Sequence, residues 1–238
     1  MHTATPAPAS ARVDHLVVAA RTLDEGVRWC EATLGVVPGP GGAHPLMGTH
    51  NRLLSIATGA FPRAYLEIIA IDPTKRPTRA AGQHRWFDLD DAALQAALAR
   101  HGPRLIHFVA RVPDARAALD ALAAGATHVD RGPLVEASRD SAAGRLTWKI
   151  SVRDDGQRLF YGALPTVIEW GPVHPADTMA ASGIALQSLH VRHPRPAVLR
   201  EALDAIGLTG IAVQAGPPDL VAVLRTPRGD VTLASRGL

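Results

Sequence analysis

The chain has 238 residues, 47% hydrophobic, 20% charged and 4% aromatic, with a formal net charge of +3. That is enough apolar material for a substantial core, which excludes a disordered chain, and no apolar run is long enough to span a bilayer. The arginines are scattered rather than gathered into a stripe with aromatics, which argues against nucleic acid; the lone Cys30 forms no internal disulfide, reads as a small core residue on a helix, and points to a reducing compartment.

Residues 1–12 are rich in Ala, Pro, Thr and Ser and lack the cationic start and apolar run of a signal peptide, so they are expected to be a disordered tail on a cytoplasmic protein. A first unit spans 13–72. It starts with an apolar strand over 14–19, and Thr22 or Asp24 caps a helix whose inward face is Val27, Cys30 and Leu34. Gly35 stops that helix, and apolar segments at 52–57 and 64–70 follow the Gly/Pro-rich stretch Val36 to Gly42.

Pro73, Pro77, Gly82 and several charges mark 73–104 as a linker with a connecting helix over about 90–100, capped by Asp88 or Asp90. The second unit, 105–175, repeats the order: strand 105–110, helix 114–124, Gly125, and strands near 146–152 and 166–170. The third, 184–238, has a strand at 187–192, a helix over about 197–206, and strands near 211–214, 219–225 and 230–234.

Each unit opens on a histidine in its first strand, His15, His107 and His190, and a glycine closes the helix 20, 18 and 17 residues later. A histidine at a repeated offset marks a repeated fold unit. Glutamates sit at the far end of the first two units, Glu67 in Tyr65-Leu66-Glu67-Ile68-Ile69 and Glu169 in Val167-Ile168-Glu169-Trp170; the third offers Thr232. A carboxylate among such apolar neighbours costs several kcal/mol to bury unless it is paired or bound to a cation. Its alternative is the wet face of a half-exposed strand.

This strand-helix-strand-strand-strand repeat, opening on His and ending on Glu, resembles the vicinal oxygen chelate superfamily, which includes glyoxalase I, extradiol dioxygenases and bleomycin-resistance proteins. The segments Gly41-Gly42-Ala43-His44-Pro45, Gly48-Thr49-His50-Asn51 and Tyr65 to Ile69 look most like its glyoxalase-like domain family. The resemblance implies an α+β fold of repeated βαβββ modules, two of them paired into an open curved bowl, with the third unit as a reduced copy. It also implies a divalent metal (Zn, Ni, Fe, Mn or Co) held by His15, Glu67, His107 and Glu169, a small substrate with adjacent oxygens, and a homodimer as one assembly.

Such a site would work as a Lewis acid, with Glu169, or else Glu67, as the base that removes a carbon-bound proton in a lyase or isomerase reaction. The loop 39–52 offers His44, His50 and Asn51 as substrate contacts, and Trp170 is another; the alternative for the loop is an ordinary turn. His84 to Phe87 reads as a lid or as an anchor for the connecting helix, and Lys149 as an anion contact or a surface lysine. Two further functions stay open: a metal-free protein that binds or sequesters a small molecule, and a non-haem iron dioxygenase using His107, His190 and Glu169. His190 alone reads as structural.

Overall fold

The computed structural model describes residues 10–141 and 144–238. Most of the tail expected at 1–12 lies outside them, but its end is built in: Ala11 is buried and donates its N–H to the Ile206 carbonyl at 3.2 Å. The first unit is β1 (Arg12–Ala19), α1 (Leu23–Leu34), β2 (Ala43–His44), β3 (Thr49–Ser55) and β4 (Tyr65–Ile71). Thr22 Oγ1 caps α1 by accepting from the Glu25 N–H, and Gly35 ends it in the left-handed region at φ 79°.

The linker carries α2 (Ala92–His101), whose cap is Asp91 rather than Asp88 or Asp90; Asp90 instead accepts from the Arg85 N–H. The second unit is β5 (Arg104–Arg111), α3 (Ala115–Ala124), β6 (Leu134–Ser141), β7 (Gly144–Ser151) and β8 (Thr166–Trp170). Sequence reasoning missed β6: its Glu, Arg and Asp residues carry no apolar run, and it pairs on one side only, with β7. Such edge strands tolerate polar residues on both faces.

Both units wire their strands alike. In the first the order is β2-β3-β4-β1, in the second β5-β8-β7-β6, and β1 joins β5 antiparallel to give one curled eight-stranded sheet. Across the open side, Val135 and Ala137 of β6 line a 40 Å³ gap together with His44, Pro45 and Met47 from the β2 end. The sheet therefore curls far enough for its outer strands to face each other.

The third unit is β9 (Ala185–His193), α4 (Pro196–Ala205), β10 (Ala212–Ala215), β11 (Asp219–Thr226) and β12 (Gly229–Ala234). It has the expected order of elements but a different pairing, β10-β9-β11-β12, so its first strand lies parallel to β10 rather than to its last strand. Thr232 on β12 is thus not the counterpart of Glu67.

Strand residues alternate between two cores. Leu16, Val18, Leu66, Ile68, Phe108 and Val167 pack on the helix side with Cys30, Leu34, Leu119 and the third unit's Leu189, Val191 and Leu220. Val17, Ala19, Ile69, Val109, Ile150 and Ile168 face into the bowl, where Trp86, Phe87, Leu94 and Leu98 of the linker meet them. Trp86 and Phe87 are stacked at 5.1 Å and buried, so the linker fills part of the bowl as an anchor. No helix among the described residues is long and apolar enough to cross a membrane.

Candidate functional site

Within the bowl lies a polar cleft of about 30 Å³, lined by His15, His44, Asn51, Glu67, Trp86, Arg139 and Trp170 among others. His15 and Glu67 come to it from neighbouring parallel strands; Glu67 sits beside Val17, two residues along β1 from His15. The imidazole Nε2 lies 3.6 Å from Glu67 Oε2, and Tyr65 stacks on the His15 ring at 4.6 Å.

Asp14, fully buried, anchors the other side of that ring. Its Oδ1 is 2.7 Å from His15 Nδ1, while Oδ2 accepts from His174 Nε2 at 2.9 Å and from Trp170 Nε1 at 3.1 Å. Burial alone would raise the Asp14 pKa, but the hydrogen bonds and charges of His15 and His174 win and hold it well below the ordinary carboxylate value. The Ala176 N–H donates to His174 Nδ1, so His174 carries its proton on Nε2. With Nδ1 of His15 held by Asp14, its Nε2 is directed at Glu67 and the cleft.

Asn51 orders the opposite wall. Its Oδ1 accepts the Gly42 N–H at 2.8 Å, and its Nδ2 donates to Glu67 Oε1 at 2.6 Å and to His44 Nε2 at 3.4 Å. These contacts fix the amide orientation. Burial, then the positive charge of Arg139, push the His44 pKa down to about 3, so this ring is neutral. Tyr65 is driven well above its ordinary value by burial and by Asp14 and Glu67, and remains a phenol.

The four ligands expected from the sequence are not brought together. Glu169 points to the helix side, where it accepts the Ala115 N–H at 2.9 Å and pairs with Lys149 Nζ at 2.9 Å. Both contacts lower its pKa, the backbone bond first. Its bowl-facing neighbours are Ile168 and Trp170. Lys149 is consequently tied to Glu169 and is not a contact of the cleft.

His107 faces the bowl with both nitrogens engaged. Nδ1–H donates to the Gly162 carbonyl at 2.9 Å, and Nε2 accepts the Thr166 N–H at 3.1 Å. Val109, two residues past His107, pairs with Thr166 just as Val17, two past His15, pairs with Glu67. Thr166 is therefore the second unit's counterpart of Glu67. The buried Arg131 guanidinium bridges these groups, donating to Thr166 Oγ1 at 2.7 Å and to the Pro165 carbonyl at 2.8 Å, with Nη2 3.3 Å from His107 Nε2.

This donor set does not fit the divalent metal that the sequence resemblance implies. His15 and Glu67 are two free ligands where catalytic sites use three or more, and a cationic side chain fills the other half. Among the described residues no group of three or more His, Cys, Asp or Glu is placed to hold an ion. The dioxygenase set fails likewise, since His190 lies in the second sheet, beside Ala212 and Val221. Of the expected substrate contacts, His44, Asn51 and Trp170 line the cleft; His50 alternates to the other face of β3, 3.9 Å from Asp72. Sequence reasoning missed Asp14, His174 and Arg139. Asp14 adjoins His15 and carried a signal; His174 reaches Asp14, and Arg139 the cleft, only through folding.

The family model of the glyoxalase-like domain matches residues 13–207. The chain belongs to the glyoxalase-like domain family. It is thereby a member of the vicinal oxygen chelate superfamily that its motifs resemble. Among solved structures, a hypothetical protein from Staphylococcus aureus is 14% identical at a TM-score of 0.57, covering 94% of this chain and 85% of that one, and shares the fold. Methylmalonyl-CoA epimerase from Mycobacterium tuberculosis is 18% identical at a TM-score of 0.39, covering 73% of this glyoxalase-like chain and 95% of its own. A mutant 4-hydroxymandelate synthase from Streptomyces coelicolor is 14% identical at 0.44, covering 96% and 63%. Comparison with curated proteins gives no match.

Proposed function

We propose that this glyoxalase-like protein is an enzyme that transfers a proton at the carbon beside a carbonyl group, as an isomerase or lyase on a small substrate, without a bound metal. The observation that carries the reading is His15, with Nδ1 held by the buried Asp14 and Nε2 directed at the cleft, 3.6 Å from Glu67.

In this reading His15 Nε2 takes the proton, and the C–H electron pair passes into the enolate of the substrate. The imidazolium that forms lies between two carboxylates, Asp14 and Glu67, and returns the proton to the same or the adjacent carbon. Buried carboxylates in a cleft wall cost free energy that a passive apolar binder has no use for, which favours catalysis over sequestration. The binding-protein reading draws support from a wider chamber of about 490 Å³ next to the cleft.

Proton NMR in deuterated buffer tests this with a panel of small 2-oxo and 2-hydroxy carbonyl compounds. The expected result is catalysed loss of the C–H signal for at least one member, slower by at least about a hundredfold in His15→Asn. Exchange by neither protein, or equal exchange by both, overturns it.

A further inference from the structure

The cleft and the adjoining chamber share Leu53 and Arg139 in their walls, so Arg139 stands at the neck between them. It is half-buried on β6, and among the described residues no carboxylate lies within ion-pairing distance and no acceptor takes its hydrogens. Its charge nevertheless reaches into the cleft, where it depresses His44 and pulls on Tyr65. The close approach depends on Gly42, where a Cβ would sit 1.9 Å from Arg139 Nη1.

Trp86 lines the same cleft. It is 7% exposed, and among the described residues its indole N–H has no acceptor. The chamber beyond the neck is apolar in character, walled by Val37, Pro40, Leu54, Leu146, Met179 and Ala180. Val37 is 64% exposed, one of two large hydrophobic side chains so open among the described residues. The loop carrying Met179 is pinned, since Asp177 pairs with Arg63, and Ser182 Oγ donates to the Ser55 carbonyl.

We infer that the ligand of this site is an amphipathic monocarboxylate: Arg139 holds its carboxylate at the neck, its oxygen-bearing end faces Trp86 and His15, and its apolar tail fills the outer chamber. A planar guanidinium suits a carboxylate. One cation flanked by Asp140 and sharing the cleft with Glu67 suits a single negative charge better than a phosphate dianion. A chamber of this size matches a drug-sized molecule, whereas the 30 Å³ cleft admits only a few atoms. The inference rests on the catalytic reading only for which end points inward.

Isothermal titration calorimetry with 2-oxooctanoate, 2-octanone and pyruvate, on wild type, Arg139→Gln and Arg139→Lys, tests it. Wild type should bind 2-oxooctanoate saturably, and pyruvate and 2-octanone at least about tenfold more weakly. Arg139→Gln should lose at least about tenfold for 2-oxooctanoate with unchanged melting temperature, and Arg139→Lys should recover part of it. Equal binding by Arg139→Gln, equal binding of the uncharged ketone, or no saturable binding of 2-oxooctanoate overturns the inference. Arg139-dependent binding without proton exchange would leave it standing and sink the catalytic reading alone.

Discussion

His107 Nε2 lies 3.0 Å from Thr166 Oγ1, and Thr166 occupies in the second unit the place that Glu67 occupies in the first. One half of the paired site has thus kept its imidazole and carboxylate, facing the cleft. The other has become a buried hydrogen-bonded knot around Arg131. The distinction governs which residues can do chemistry.

Glu67→Gln should lower proton exchange by about a hundredfold while costing under about 1 kcal/mol of stability, because the Gln carbonyl keeps the Asn51 hydrogen bond. Exchange rates and urea midpoints measured together check this. A variant that loses activity only through unfolding would contradict the assigned role.

Asp14→Asn should act through His15. Without the carboxylate, the ring no longer holds its proton on Nδ1, and exchange should fall by about a thousandfold or more. Nitrogen-15 NMR of the imidazole reads the tautomer directly, a signal that a merely structural Asp14 would leave unchanged. The loss of stability should be only about 1 kcal/mol, since the Asn oxygen still accepts from His174 and Trp170 while its NH2 faces His15.

Arg131→Met should cost about 1–3 kcal/mol by leaving Thr166 Oγ1 and the Pro165 carbonyl buried without their donor. Burial, then Arg153, lower the Arg131 pKa to about 9, which fits a cation enclosed without a carboxylate at contact distance. Proton exchange at the cleft should survive in the folded fraction. Loss of exchange at full folding would show that the second half still takes part.

Acid should unfold the protein earlier than its carboxylates alone require. Burial holds His44 down to about 3 and His107 well below its ordinary 6.5, so the unfolded chain binds protons that the folded chain refuses. Stability is flat above about pH 6.5 and falls as pH drops below it, by up to about 2.7 kcal/mol per pH unit for the two rings together. Asp14, depressed instead, adds its loss only below the ordinary carboxylate value of 3.8. Urea unfolding from pH 7 to about pH 4.5 measures the slope, and His44→Gln should remove about one proton from it.

The repeated histidines and glycines made the modules legible, because helix stops and strand periodicity are local signals. The strand β6 was not, since an edge strand needs no apolar face. Within the site, His15, Glu67, His44 and Asn51 were readable from their motifs. Glu169 misled because a repeat read by residue type ignores strand register: it lies three positions past Thr166, an odd offset that reverses its face. Arg131 gave no warning, as its partners lie far along the chain, and Arg139 none, as it reaches the cleft only when the sheet curls.

Whether the His15 site works without a divalent metal is decided by elemental analysis of protein purified without chelators. Well under about 0.1 equivalent of any divalent transition metal per chain is expected, unchanged in His15→Ala and Glu67→Ala, because two ligands hold such an ion weakly. One equivalent in the wild type that disappears in both variants would contradict it.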